Sequence, residues 1–96
     1  MRLNRGEIDS IKSAIYQIDS GARIFLFGSR VRDNAAGGDI DLLVESQIIQ
    51  FDDRISILAA IKKNLGEQKI DLIVTKDLAN DSDPFIQSIK DEMKKI

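Results

Sequence analysis

Two short apolar runs, Ile40-Asp41-Leu42-Leu43-Val44 and Ile70-Asp71-Leu72-Ile73-Val74, each carry a carboxylate inside a stretch otherwise built from Ile, Leu and Val. Runs of this length and composition read as strands. Side chains alternate along a strand, so Asp39 and Asp41 share one face while Ile40, Leu42 and Val44 turn to the other, toward a core. Asp71 repeats the arrangement between Ile70 and Leu72. Any one of these aspartates alone reads as an ordinary surface residue, since charged side chains are mostly exposed. Three in two apolar strands are harder to explain that way. If the strands lie side by side, the carboxylates converge and raise one another's pKa unless a cation neutralises them. Mg2+ suits such a group: it prefers hard oxygen ligands, accepts one or two carboxylates and completes its shell with water and substrate phosphate.

The rest of the chain supplies the frame. Ile8, Ile11, Ile15 and Ile18 recur at helical spacing and predict an amphipathic helix over 5–19, opened by an Asn4/Glu7 capping box and stopped by Gly21. A first strand is expected at 22–27, the second at 40–45 and the third at 69–75, with 30–34 as one helical turn and 35–38 as a loop. Ile55, Leu58, Ala59, Ile61 and Leu65 predict a second helix over 52–65, stopped at Gly66. Asp83-Pro84 opens a last helix marked by Phe85, Ile86, Ile89, Met93 and Ile96, whose charge-rich part at 90–95 reads as a solvated face. The expected fold is α/β: one domain over 1–96, with a small mixed three-stranded sheet packed by helices in the order α-β-β-α-β-α. Its core should include Ile8, Ile11, Ile15, Ile18, Ile55, Leu58, Phe85 and Ile89.

Composition narrows the chemistry. With no Cys and no His, the usual zinc, iron–sulfur and haem sites, disulfides, Cys nucleophiles and Ser-His-Asp triads each lack an essential residue. Carboxylates, hydroxyls, amines and backbone remain. At 96 residues a single domain is expected, without a separate substrate domain. A net charge of −2 argues against direct nucleic-acid binding and against attraction to anionic membranes. No apolar run approaches the roughly 18 to 20 residues of a membrane span, and the start Met1-Arg2-Leu3-Asn4-Arg5 has no signal-peptide core, so a cytoplasmic location is expected.

A second element, Phe27-Gly28-Ser29-Arg30, ends an apolar strand on a small residue and a hydroxyl before a helical turn. Such a turn suits phosphate: backbone N–H groups point outward, Gly admits an anion to the backbone, and Ser can donate from its hydroxyl. Arg30 and Arg32 could assist. Gly-Ser after a strand is also a common helix cap. Neither the P-loop nor the dinucleotide fingerprint is present, and a calcium loop from Asp33 fails because Ala35 and Gly37 fall on ligand positions.

Gly28-Ser29, nine intervening residues, Asp39-Ile40-Asp41 and the later Asp71 together resemble the DNA polymerase β-like nucleotidyltransferase superfamily, and most closely its minimal nucleotidyltransferase (MNT) branch. The likeness spans roughly 24–74. It departs in the spacer, which is ordinarily ten residues, and in Gly38, where Ser is frequent. The resemblance implies transfer of a nucleoside monophosphate from an NTP, taken as ATP, to an acceptor hydroxyl. Asp39, Asp41 and Asp71 would then be catalytic and hold two Mg2+ ions, and Gly28, Ser29 and Arg30 would bind the nucleotide. Members of this branch are similar to antitoxins paired with HEPN-type toxins, which implies a partner protein as acceptor; a homo-oligomer is also compatible. The alternatives are a non-catalytic antitoxin that acts by covering its partner, and transfer to a small molecule.

Overall fold

Asn4 opens α1 (Arg5–Tyr16) as the spacing predicts. Its side chain accepts from Glu7 N at 2.8 Å while Glu7 Oε1 accepts from Asn4 N at 3.0 Å, a reciprocal capping box. The computed structural model describes residues 3–28, 39–66 and 68–96. The helix closes at Tyr16 rather than at residue 19. The turn after it, in which Ile18 N and Asp19 N both donate to Ile15 O, still carries Ile18 against the core.

Strand β1 (Arg23–Phe27) pairs antiparallel with β2 (Ile40–Glu45), and β2 pairs in parallel with β3 (Ile70–Thr75). Parallel neighbours require a crossover, which α2 (Asp53–Leu65) supplies. Gly66, at φ +82°, ends that helix by donating to Lys62 O at 2.8 Å, as expected of a stop glycine. Beyond β3 come a 3-10 turn (Leu78–Asn80) and α3 (Pro84–Ile89), capped by Asp83, whose carboxylate accepts from Phe85 N.

The end of the chain corrects the sequence reading. Instead of continuing as a helix through Ile96, the backbone turns after Ile89 and forms β4 (Lys94–Lys95), antiparallel to β1. The sheet therefore has four strands in the order β3-β2-β1-β4, and the element order is α-β-β-α-β-α-β. Two forces favour this outcome. The outer edge of β1 carries unpaired backbone groups, which β4 and the Ile96 N to Ile24 O bond satisfy. A spacing of three also places Met93 and Ile96 on opposite faces of a strand, so each packs into a different apolar cluster. The lysines expected on a solvated helix face are instead exposed on an edge strand, where charge discourages further pairing.

The sheet divides the core in two. Ile24, Leu26, Ile40, Leu42, Val44 and Leu72 face α1 and α2 and meet Ile11, Ile15, Ile57 and Ile61. On the opposite face, Phe25, Phe27 and Leu43 pack with Leu78, Ile86 and Ile89. Two expected core residues fall outside. Ile55 is 76% exposed, because α2 buries the stripe of Ile57 and Ile61 and turns Ile55 outward. Phe85, at the first turn of α3, is 49% exposed and meets Phe27 edge to face at 5.8 Å between ring centres. Among the described residues no helix is long and apolar enough to cross a membrane.

Candidate functional site

Alternation and register together build the site. Asp41 and Asp71 stand opposite each other in the parallel β2–β3 pair, and Phe27 stands opposite Asp41 in β1. Ile40, Leu42, Ile70 and Leu72 are buried beneath the two helices, so both carboxylates emerge on the opposite face, which among the described residues is covered by α3 and the 3-10 turn.

The two acids share a hydrogen bond, and the pKa of Asp41 is pushed up to about 6. Partial burial is the largest cause. The hydrogen bond to Asp71 and the negative charges of Asp71 and then Asp39 add to it, against a smaller opposing pull from Lys69. Gly28 closes the other side. Its φ is +74°, and a Cβ there would run into Asp41 Oδ2 and stand 3.1 Å from Asp41 Cγ. Only a residue without a side chain lets the end of β1 lie against this carboxylate.

Asp39 behaves differently from its two partners. It is about half exposed, and its Oδ2 lies 3.7 Å from Lys69 Nζ. The expected convergence of three carboxylates is thus met as a tight pair with a third acid at its rim. Among the described residues no group of three acidic side chains is arranged to hold a metal ion. Two adjoining carboxylates still fit a divalent cation, which would remove the repulsion that helps to raise Asp41. Asp41 and Asp71 are the residues placed to hold it, with Asp39 within electrostatic reach. Ser29, Arg30 and Arg32 lie outside the described residues.

A hollow of about 300 Å³ opens beside the acidic pair, walled by Phe27, Phe85, Leu72 and Ile73 and by Arg54 from the start of α2. Arg54 and Phe85 were not expected here. The one sequence signal for Arg54 is its place in the first turn of a helix, where the macrodipole disfavours a cation. A larger hollow, about 450 Å³, lies at the opposite end of the sheet near Asp19, Arg23, Glu45 and Ser46. Four of its polar side chains are paired with one another: Ser46 Oγ donates to Asp19 at 2.5 Å and Arg23 pairs with Glu45 at 2.8 Å, while Glu45 also accepts from Leu78 N. The chemistry belongs to the smaller hollow.

No curated protein matches the chain. The model of one family, the nucleotidyltransferase domain, matches residues 8–96 and so takes in all four strands, Gly28 and the acidic residues. The chain belongs to the nucleotidyltransferase domain family.

Proposed function

We propose that this domain transfers a nucleoside monophosphate, AMP from ATP, to a hydroxyl on a partner protein in a Mg2+-dependent reaction. The observation that supports the reading is the register pair Asp41–Asp71, with Asp41 lying against Gly28 so closely that a side chain there would collide with it. In this reading Asp41 and Asp71, with Asp39 at the rim, hold two Mg2+ ions, which supply Lewis-acid stabilisation of the phosphoryl charge when bound. Gly28, with Ser29 and Arg30 following it in sequence, binds the β- and γ-phosphates. The acceptor oxygen attacks the α-phosphorus, the bond to the bridging oxygen of pyrophosphate breaks, and Asp71 takes the acceptor's proton. Asp71 suits that role because it is the more exposed member of the pair, within reach of an incoming hydroxyl. The barrier falls through positioning and charge stabilisation, without a covalent enzyme intermediate.

The acceptor class follows from resemblance to MNT-type antitoxins, whose HEPN-type partners would present the hydroxyl. The test is incubation of the purified protein with labelled ATP, Mg2+ and a HEPN-type partner. Label should appear on the partner, and Asp41→Ala or Asp71→Ala should lower the rate by about a hundredfold or more. Absence of transfer by wild type, with neutralisation of the partner by both variants, would identify a protein that acts by complex formation alone.

A further inference from the structure

Among the described residues Arg54 differs from the other cation near the acidic pair, Lys69, which sits beside Asp39. Arg54 lines the hollow that holds Asp41 and Asp71, yet it forms no ion pair with either carboxylate. Its Nε is buried and has no hydrogen-bond partner among the described residues. A buried guanidinium nitrogen left unpaired costs stability, and such groups call for an explanation in what they bind. The guanidinium is also held from behind: its central carbon sits 5.0 Å from the centre of the Phe51 ring. Two acids and a guanidinium not paired with them thus line the same hollow.

The layout of the strands indicates which anion. Gly28 lies at the end of β1, on one flank of Asp41. Arg54 lines the hollow together with Leu72 and Ile73 of β3, the edge strand on the other side of Asp41 from β1. In an in-line displacement the leaving pyrophosphate lies to one side of the transferred phosphorus and the acceptor to the other. With the β- and γ-phosphates at Gly28, the group between the acidic pair and Arg54 is the α-phosphoryl.

We propose that Arg54 binds the α-phosphoryl group of the nucleotide, donating to its non-bridging oxygens and leaving the position opposite the pyrophosphate to the acceptor. The inference rests on the nucleotidyl-transfer reading and adds to it a phosphate-binding residue that reaches the site from the crossover helix. A planar guanidinium with forked donors suits a phosphoryl group whose charge spreads over its oxygens during transfer.

Calorimetric titration of MgATP, of AMP with Mg2+ and of pyrophosphate with Mg2+ into wild type, Arg54→Met and Arg54→Lys tests it without an acceptor. Met keeps an unbranched stem against β3 and removes the donors, and Arg54→Gln serves the same comparison if Met disturbs the fold in far-UV circular dichroism. Loss of the donors should weaken MgATP and AMP by about ten- to a hundredfold while pyrophosphate changes by less than about twofold, and Lys should recover part of the loss. Unchanged binding of ATP and AMP overturns the assignment, as does an equal loss for pyrophosphate, which would place Arg54 at the leaving group. If wild type itself binds no MgATP, the nucleotidyl-transfer reading fails and takes this inference with it.

Discussion

Gly28 occupies a position where a methyl group has no room, and its neighbour there is the carboxylate on which the proposed chemistry depends. Two costs separate cleanly because a second glycine shares only one of them. Gly66 has a similar φ, +82°, but nothing within 4 Å of an added Cβ. Gly66→Ala should therefore lose about 1 kcal/mol in urea unfolding, from backbone strain alone. Gly28→Ala adds the collision with Asp41 and should lose about 2–4 kcal/mol. A domain of this size can survive that loss, so MgATP titration of the folded variant should show weakened binding; for Gly66→Ala it should be unchanged. Asp41 itself gives a pH signature in metal-free buffer. Its pKa rises from 3.8 to about 6 on folding, so the folded state holds the proton more tightly than the unfolded chain. Its contribution is favourable at low pH, shrinks as pH rises from about 4 to 6, and is constant above that. Thermal melts with EDTA should accordingly show Asp41→Asn gaining on wild type across this window, and then a constant difference. A constant difference from pH 4 upward would mean that Asp41 is ionised throughout.

Strands and helices were not equally legible in the sequence. Strand β2 was found at its observed bounds and β3 within one residue, because an apolar run interrupted by Asp on alternate positions satisfies one period only. Strand β4 was hidden, since Met93 and Ile96 at a spacing of three fit a helix as well as they fit opposite faces of a strand, and its pairing depends on the distant edge of β1. The stripe on α2 is ambiguous for a related reason: Ile55 and Ile57, two residues apart, lie on nearly opposite faces of a helix, and only the packing against α1 and the sheet selects Ile57. The acidic pair could be read from alternation, whereas Arg54 could not, because the crossover that brings the start of α2 to the β3 flank is a three-dimensional fact. The correction at the chain end carries its own test. Truncation after Ile89 removes the β4 pairing and the partly buried Met93 and Ile96, and should cost about 2–4 kcal/mol in urea unfolding. It also bares the edge of β1, so light scattering should show association that the full chain does not. Were residues 90–96 a solvated helical tail, neither would change appreciably.

At the scale of the molecule, the two faces of the sheet carry different duties. The face under α1 and α2 is apolar throughout and contributes stability, while the other is covered by a short helix and a turn and leaves Asp41 and Asp71 open at one end. The acidic pair is thus a local cost carried by a core that does not contain it, and a bound cation should return part of that cost to the whole fold. Binding to the folded state alone stabilises by RT ln(1 + [L]/Kd), about 1.4 kcal/mol at ten times the Kd. For a chain of this length that corresponds to a rise of roughly 6 to 11 °C in Tm. Thermal melts with increasing MgCl2, against NaCl at matched ionic strength, should show this rise for wild type. In Asp41→Asn and Asp71→Asn it should shrink to the salt control, because each removes one ligand and the repulsion the cation relieves. In Asp39→Asn part of the rise should remain, since Asp39 stands at the rim and already has Lys69 as a counter-ion. An equal loss in all three variants would mean that the cation gathers the three carboxylates into one site, with Asp39 leaving Lys69 on binding.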